Sequence, residues 1–149
     1  MIEQGIKAPD FSLKDHTGKE LNLSDFLGKK VLLSFHPLAW TGVCAQQMKS
    51  LEDNFEAFEK LNTIALGFSI DTVPSKKAWA QSLGIEKTSL VSDFWPHGGY
   101  SKELGIFRDD DGFTERANII IDEKGFAKWI KIYPIPQLPD IKEVLEALK

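Results

Sequence analysis

Apolar positions recur along this chain with two alternating periods. Val31-Leu32-Leu33-Ser34-Phe35 is a short, nearly continuous apolar run followed by Pro37, the pattern of a strand buried on both faces. Beginning at Cys44, the residues Cys44, Met48, Leu51, Phe55 and Phe58 recur at spacings of four and three, which predicts one amphipathic helix ending near Leu61. Residues 63–70 read as a second buried strand, residues 75–83 as a helix closed by Gly84, and residues 89–92 as another short strand. Two strands over 117–121 and 126–132 flank the turn Asp122-Glu123-Lys124-Gly125. A last helix follows Asp140, with Glu143 in its first turn and Ile141, Val144, Leu145 and Leu148 on its inner face. Near the start, residues 11–13 and 20–23 flank Asp15-His16-Thr17-Gly18 and predict a small hairpin.

Strand, helix, strand, helix, then an antiparallel hairpin and a final helix imply an α/β architecture. This order fits a thioredoxin-like fold: a mixed central sheet flanked by helices, preceded by an N-terminal β-hairpin. Residues 134–139 carry three prolines and read as an extended connection into the last helix rather than a domain boundary. With 149 residues, one domain over 1–149 is expected.

Composition narrows the function. The net charge of −4 argues against nucleic acid or an anionic membrane as the main partner. Residues 1–7 lack a basic start followed by an apolar core, and no run approaches the roughly 18 apolar residues of a membrane helix. A soluble, cytoplasmic protein is therefore expected, in which a lone thiol stays reduced unless it reacts. Because Cys44 is the single cysteine, an intrachain disulfide, a C-x-x-C dithiol and a multi-thiolate metal centre are excluded. Only two of the 18 basic residues are arginines, Arg108 and Arg116.

A lone cysteine in a small domain is ordinarily an inert core residue. Cys44 has a different setting. It opens the apolar stripe of its helix three residues after Thr41, a candidate N-cap, so its sulfur is expected in the first turn. Unpaired N–H groups and the positive end of the helix dipole favour a thiolate there. Since the stripe faces the sheet, the sulfur should lie at the bottom of a pocket, with Pro37 stiffening the loop that delivers it.

The segment Pro37-Leu38-Ala39-Trp40-Thr41-Gly42-Val43-Cys44 resembles the peroxiredoxin signature P-x-x-x-T-x-x-C. Together with Ser92-Asp93-Phe94-Trp95-Pro96-His97-Gly98 it is most similar to the one-cysteine, AhpE-like branch of the AhpC/TSA superfamily. The similarity runs from Ala8-Pro9-Asp10-Phe11 through Arg116 and Ile119-Ile120-Ile121-Asp122. It implies a thiol-dependent peroxidase that reduces hydrogen peroxide or an organic hydroperoxide, with Cys44, Thr41, Arg116 and Pro37 as its site residues and with no cofactor or metal.

Thiol acidity alone cannot supply such catalysis. Lowering a thiol pKa from about 8.5 to about 6 raises the thiolate fraction at pH 7 about thirtyfold. Nucleophilicity falls about tenfold over the same interval, so only a few-fold gain remains. The larger share must come from groups that bind the two peroxide oxygens and stabilise the departing one. Arg116 offers a permanently charged planar fork, Thr41 a hydroxyl that can accept from one peroxide oxygen while donating elsewhere, and the amides near Val43 and Cys44 fixed donors. Pro37 would exclude water and shape the loop. Arg108, amid Asp109-Asp110-Asp111, reads as a solvated loop charge. Two positions depart from the family: His36 stands where many members have tyrosine, and Gln47 where many have a glutamate that orients the arginine. Gln47 can still accept a hydrogen bond, but without an ion pair.

Attack on a peroxide would leave Cys44 as a sulfenic acid. With no second cysteine, an external thiol, either small or a thioredoxin- or glutaredoxin-like protein, is expected to restore it. Trp40 and Trp95-Pro96-His97 set large rings in loops near the site, either capping the core or forming a homodimer face. The alternative function is a thioredoxin-like peroxide sensor or binding module without turnover.

Overall fold

The computed structural model describes residues 1–149. Its central sheet has five strands in the order β5-β4-β3-β8-β9, where β3 is Lys30–Phe35, β4 Thr63–Ser69, β5 Ser89–Ser92, β8 Arg116–Ile121 and β9 Ala127–Tyr133. Strands β3, β4 and β5 are parallel; β8 runs antiparallel to β3, and β9 antiparallel to β8. Parallel neighbours require crossovers, here α1 (Gly42–Asp53) with α2 (Phe55–Lys60), then α3 (Val73–Leu83). The chain closes with α5, Ile141–Ala147. The N-terminal hairpin pairs β1 (Ser12–Lys14) with β2 (Glu20–Asn22). The mixed sheet, its flanking helices and the hairpin agree with the thioredoxin-like order expected from the sequence.

Alternation along the strands divides the core between the two faces of the sheet. Val31, Leu33, Phe35, Phe68, Ile119 and Ile121 enter one cluster with Phe11, Tyr100 and Leu104. Leu32, Leu90 and Ile120 enter the other with Cys44, Met48, Leu51, Trp79 and Val144. The apolar stripe that opens at Cys44 is thus the face that α1 lays on the sheet. Gly67 permits the close approach, because a Cβ there would stand 2.3 Å from Met48 Sδ.

Two local expectations need correction, and three short elements were not anticipated. The helix expected to run from Cys44 to Leu61 is two helices, broken at Asn54. There the Asn54 side chain donates to the Ser50 carbonyl at 2.8 Å, competing with the helical backbone for that acceptor. The segment after Tyr133 is not simply extended, since the Gln137 amide folds back on the Pro134 carbonyl at 3.0 Å. Helix α4 (Gly99–Leu104) and the two-stranded pair β6 (Phe107–Arg108) with β7 (Phe113–Thr114) have too few residues to show a period. The turn Asp15-His16-Thr17-Gly18 joins β1 to β2 as expected, and His16 within it is buried, its Nδ1 accepting from the Leu90 amide on β5.

Register decides which residues meet. Phe35 pairs with Phe68 in parallel and with Ala117 antiparallel. The end of β3, the end of β4 and the start of β8 therefore lie at one edge, where α1 also begins. In an open α/β sheet such an edge, beyond the carboxyl ends of the parallel strands, is where ligands bind.

Candidate active site

Cys44 occupies the first turn of α1 and is 1% exposed. The leading amides of Gly42, Val43 and Cys44 have no carbonyl of their own helix within reach and point out of its N-terminus. Arg116, first residue of β8, is 3% exposed and directs Nη1 at Cys44 Sγ, 3.4 Å away. The same Nη1 donates to Gln47 Oε1 at 2.8 Å, and Nε donates to the Ile135 carbonyl at 2.8 Å. Gln47 is fixed in turn by donating Nε2 to Ser34 Oγ at 2.8 Å and to the Phe35 carbonyl at 3.1 Å.

No carboxylate lies within ion-pair distance of Arg116. A buried guanidinium is costly unless its charge and donors are met. Two neutral oxygens meet two donors here, and the sulfur is the one neighbour in this set able to carry a balancing negative charge. The residue at position 47 explains the arrangement, since an amide orients the arginine without neutralising it.

Thr41 begins α1 as its N-cap by backbone conformation, but its hydroxyl does not cap the helix. Oγ1 donates instead to the Leu38 carbonyl at 2.8 Å, which leaves its lone pairs as acceptors. Pro37 is buried between β3 and this turn, whereas Thr41 is exposed. Cys44 and Arg116 are thus in direct contact, with Thr41 and Pro37 on the loop that precedes them. Arg108 lies apart, paired with Asp111 at 2.6 Å and Glu115 at 3.2 Å.

Behind the loop lies a second polar group that sequence reasoning missed. Lys76 on α3 is fully buried, donating to Ser69 Oγ at 2.5 Å and lying 3.4 Å from His36 Nε2. Burial pushes its amine down to about 7, against the attraction of Asp71, Cys44 and Asp93. His36 is also fully buried, and desolvation, reinforced by the charges of Lys76 and Arg116, holds it well below the usual histidine range. Its Nδ1 has no hydrogen-bond partner. One signal for Lys76 was available: with Trp79, Ala80 and Leu83 it falls on the helical spacing of the apolar face. Ser34 could have been noticed as the polar interruption of an apolar strand. The Ile135 carbonyl had no signal, because a backbone acceptor has no residue type.

The AhpC/TSA family profile matches residues 4–130. Alkyl hydroperoxide reductase E of Mycobacterium tuberculosis is 34% identical over 149 residues, covering 99% of this chain and 97% of that protein. The chloroplastic 2-Cys peroxiredoxin BAS1 of Hordeum vulgare is 37% identical over 155 residues, covering 97% of this chain and 73% of that one. Among solved structures, the reduced 2-Cys peroxiredoxin of Plasmodium vivax superposes with a TM-score of 0.88 at 29% identity, covering 97% of this chain and 79% of that one.

Proposed function

Because this chain belongs to the AhpC/TSA family, in its one-cysteine AhpE-like branch, and is a thiol peroxidase with a single catalytic cysteine, we propose a cycle built on Cys44, Arg116, Thr41 and Pro37. The Cys44 sulfur attacks one peroxide oxygen. An S–O bond forms, the O–O bond breaks, sulfur is oxidised by two electrons, and the departing alkoxide or hydroxide takes up a proton. Arg116 holds the sulfur and stabilises charge on the departing oxygen, and the leading amides of α1 supply further donors. Thr41 Oγ1, whose proton is committed to the Leu38 carbonyl, accepts from the peroxide hydrogen. Pro37 keeps water from the sulfur.

The sulfenic acid then meets an external thiol, which displaces water and forms a mixed disulfide. A second thiol releases Cys44 and leaves as the oxidised disulfide. The name of the mycobacterial relative supports an organic hydroperoxide as one substrate. In this reading residues 1–149 act as one domain. The protein works in the cytoplasm, and no helix is long and apolar enough to cross a membrane. Trp40, Phe94 and Trp95 are 57%, 44% and 77% exposed, and this aromatic surface supports a homodimer.

The observation that carries the reading is the contact of a buried arginine that has no carboxylate partner with the sole thiol. Treating the reduced protein with one equivalent of peroxide should add one oxygen to its intact mass and make it reactive toward a sulfenate trap. Cys44→Ala should do neither, and with added thiol the wild type should consume many equivalents. No added oxygen would overturn the reading; a halt after one equivalent would make the protein a sensor.

A further inference from the structure

The Lys76 group lies outside the cycle just described, yet burying an amine without a carboxylate in direct contact carries a free-energy cost. Its hydrogen bonds lead to the active-site loop. Lys76 Nζ donates to Ser69 Oγ at 2.5 Å, Ser69 Oγ donates to Asp71 Oδ2 at 2.6 Å, and that same oxygen accepts the amide of Ala39 at 2.8 Å. Ala39 lies midway between Pro37 and Thr41. The Ser92 hydroxyl fixes the other side of the turn by donating to the Asp71 carbonyl at 2.6 Å.

The loop needs such restraint. Trp40 has a φ of 69°, a left-handed conformation unfavourable for an ordinary L-residue because its Cβ crowds the following carbonyl. Its indole Nε1 donates to Ser75 Oγ at 3.0 Å, on α3 one residue before Lys76. Two tethers from one helix therefore hold adjacent residues of the loop that presents Thr41. The charged and titratable groups around Lys76 are His36 at the end of β3, Asp71 after β4, Asp93 after β5 and Cys44 on α1; His16 also feels its charge.

We propose that Lys76 is a positioning residue for the peroxide reaction: through Ser69 and Asp71 it holds the Ala39 amide, whose peptide also carries the Leu38 carbonyl that receives the Thr41 hydroxyl. The inference rests on Cys44 as the peroxide-attacking residue. Two substitutions interrupt the chain of hydrogen bonds at different links. Lys76→Met keeps the length and apolar stem but removes the charge and the tether. Ser69→Ala breaks the tether while leaving the amine in place.

The test measures the second-order rate of sulfenate formation with hydrogen peroxide from pH 5 to 9, with circular dichroism to verify folding. Wild-type protein that forms no sulfenate overturns the reading of Cys44 itself. Given an active wild type, Lys76→Met is expected to lower the plateau rate about tenfold, and to cost little further rate in a Thr41→Val background, since a residue that acts through Thr41 loses its effect once that hydroxyl is gone. Ser69→Ala, which breaks the same chain of hydrogen bonds, is expected to lower the plateau in the same way. A folded Lys76→Met variant with the wild-type plateau, or one whose loss is undiminished in the Thr41→Val background, overturns the proposal. If that variant does not fold, Ser69→Ala decides, and a wild-type plateau in it overturns the proposal equally.

Discussion

Arg116 and Cys44, 72 positions apart in the chain, stand 3.4 Å apart in the fold, with the guanidinium held in place by two neutral acceptors and by no carboxylate. The contact exists because β8 lies beside β3, with Ala117 opposite Phe35, and because α1 starts beyond the same end of β3. A neutral orienting partner at Gln47 leaves the full charge of the arginine facing the sulfur.

Replacing the fork by a point charge should be severe. In Arg116→Lys a single ammonium cannot reach the sulfur, Gln47 Oε1 and the Ile135 carbonyl from one planar group. The rate constant with peroxide should fall by about 10²–10³, the usual loss when a transition-state donor is removed. Stopped-flow kinetics checks this, and a rate within threefold of wild type would contradict the role assigned to Arg116.

Acid should destabilise the protein through His36. Its folded pKa lies well below 6.5, first because of desolvation and then because of Lys76 and Arg116. Below pH 6.5 the unfolded chain therefore binds a proton that the native state refuses, and stability falls as pH falls. One such group contributes about 1.4 kcal/mol per pH unit while the pH stays between the two pKa values. His16 shifts in the same direction by desolvation and adds to the slope. Urea unfolding between pH 6.5 and 5 should show a shallower pH dependence in His36→Phe than in wild type, and equal slopes would rule out this assignment.

Gly67 should tolerate little. Alanine there would bring its Cβ to 2.3 Å from Met48 Sδ and 2.9 Å from Leu90 Cδ2. Both atoms belong to side chains that can change rotamer, so they can yield, at a cost of about 1–3 kcal/mol typical of overpacking. Met48 lies one turn after Cys44 on α1, so the displacement should also reach the sulfur. Gly67→Ala should unfold at lower urea and react more slowly with peroxide; an unchanged denaturation midpoint would show that α1 does not rest on this glycine.

Much of the fold was legible because its signals are local. The apolar run at β3, the spacing from Cys44 to Leu51 and the glycine after α3 each act within a few residues, where periodicity and capping set the structure. Gly84 does take the left-handed conformation, with a φ of 70°. Asn54 misled because a spacing pattern does not reveal a side chain that captures a helical carbonyl. The short α4 and the β6–β7 pair were hidden for want of length.

By itself the sequence determined the longer strands and helices, the sole thiol in the first turn of a helix, and the two arginines from which a partner could be drawn, since local propensity and residue chemistry need no tertiary knowledge. Only the tertiary structure decided that the Ile135 carbonyl orients the guanidinium, that Gln47 is braced by Ser34, and that a lysine on α3 reaches the loop before α1 through Ser69 and Asp71. These contacts depend on strand register and on directed hydrogen bonds between distant segments, for which one-dimensional spacing leaves no trace.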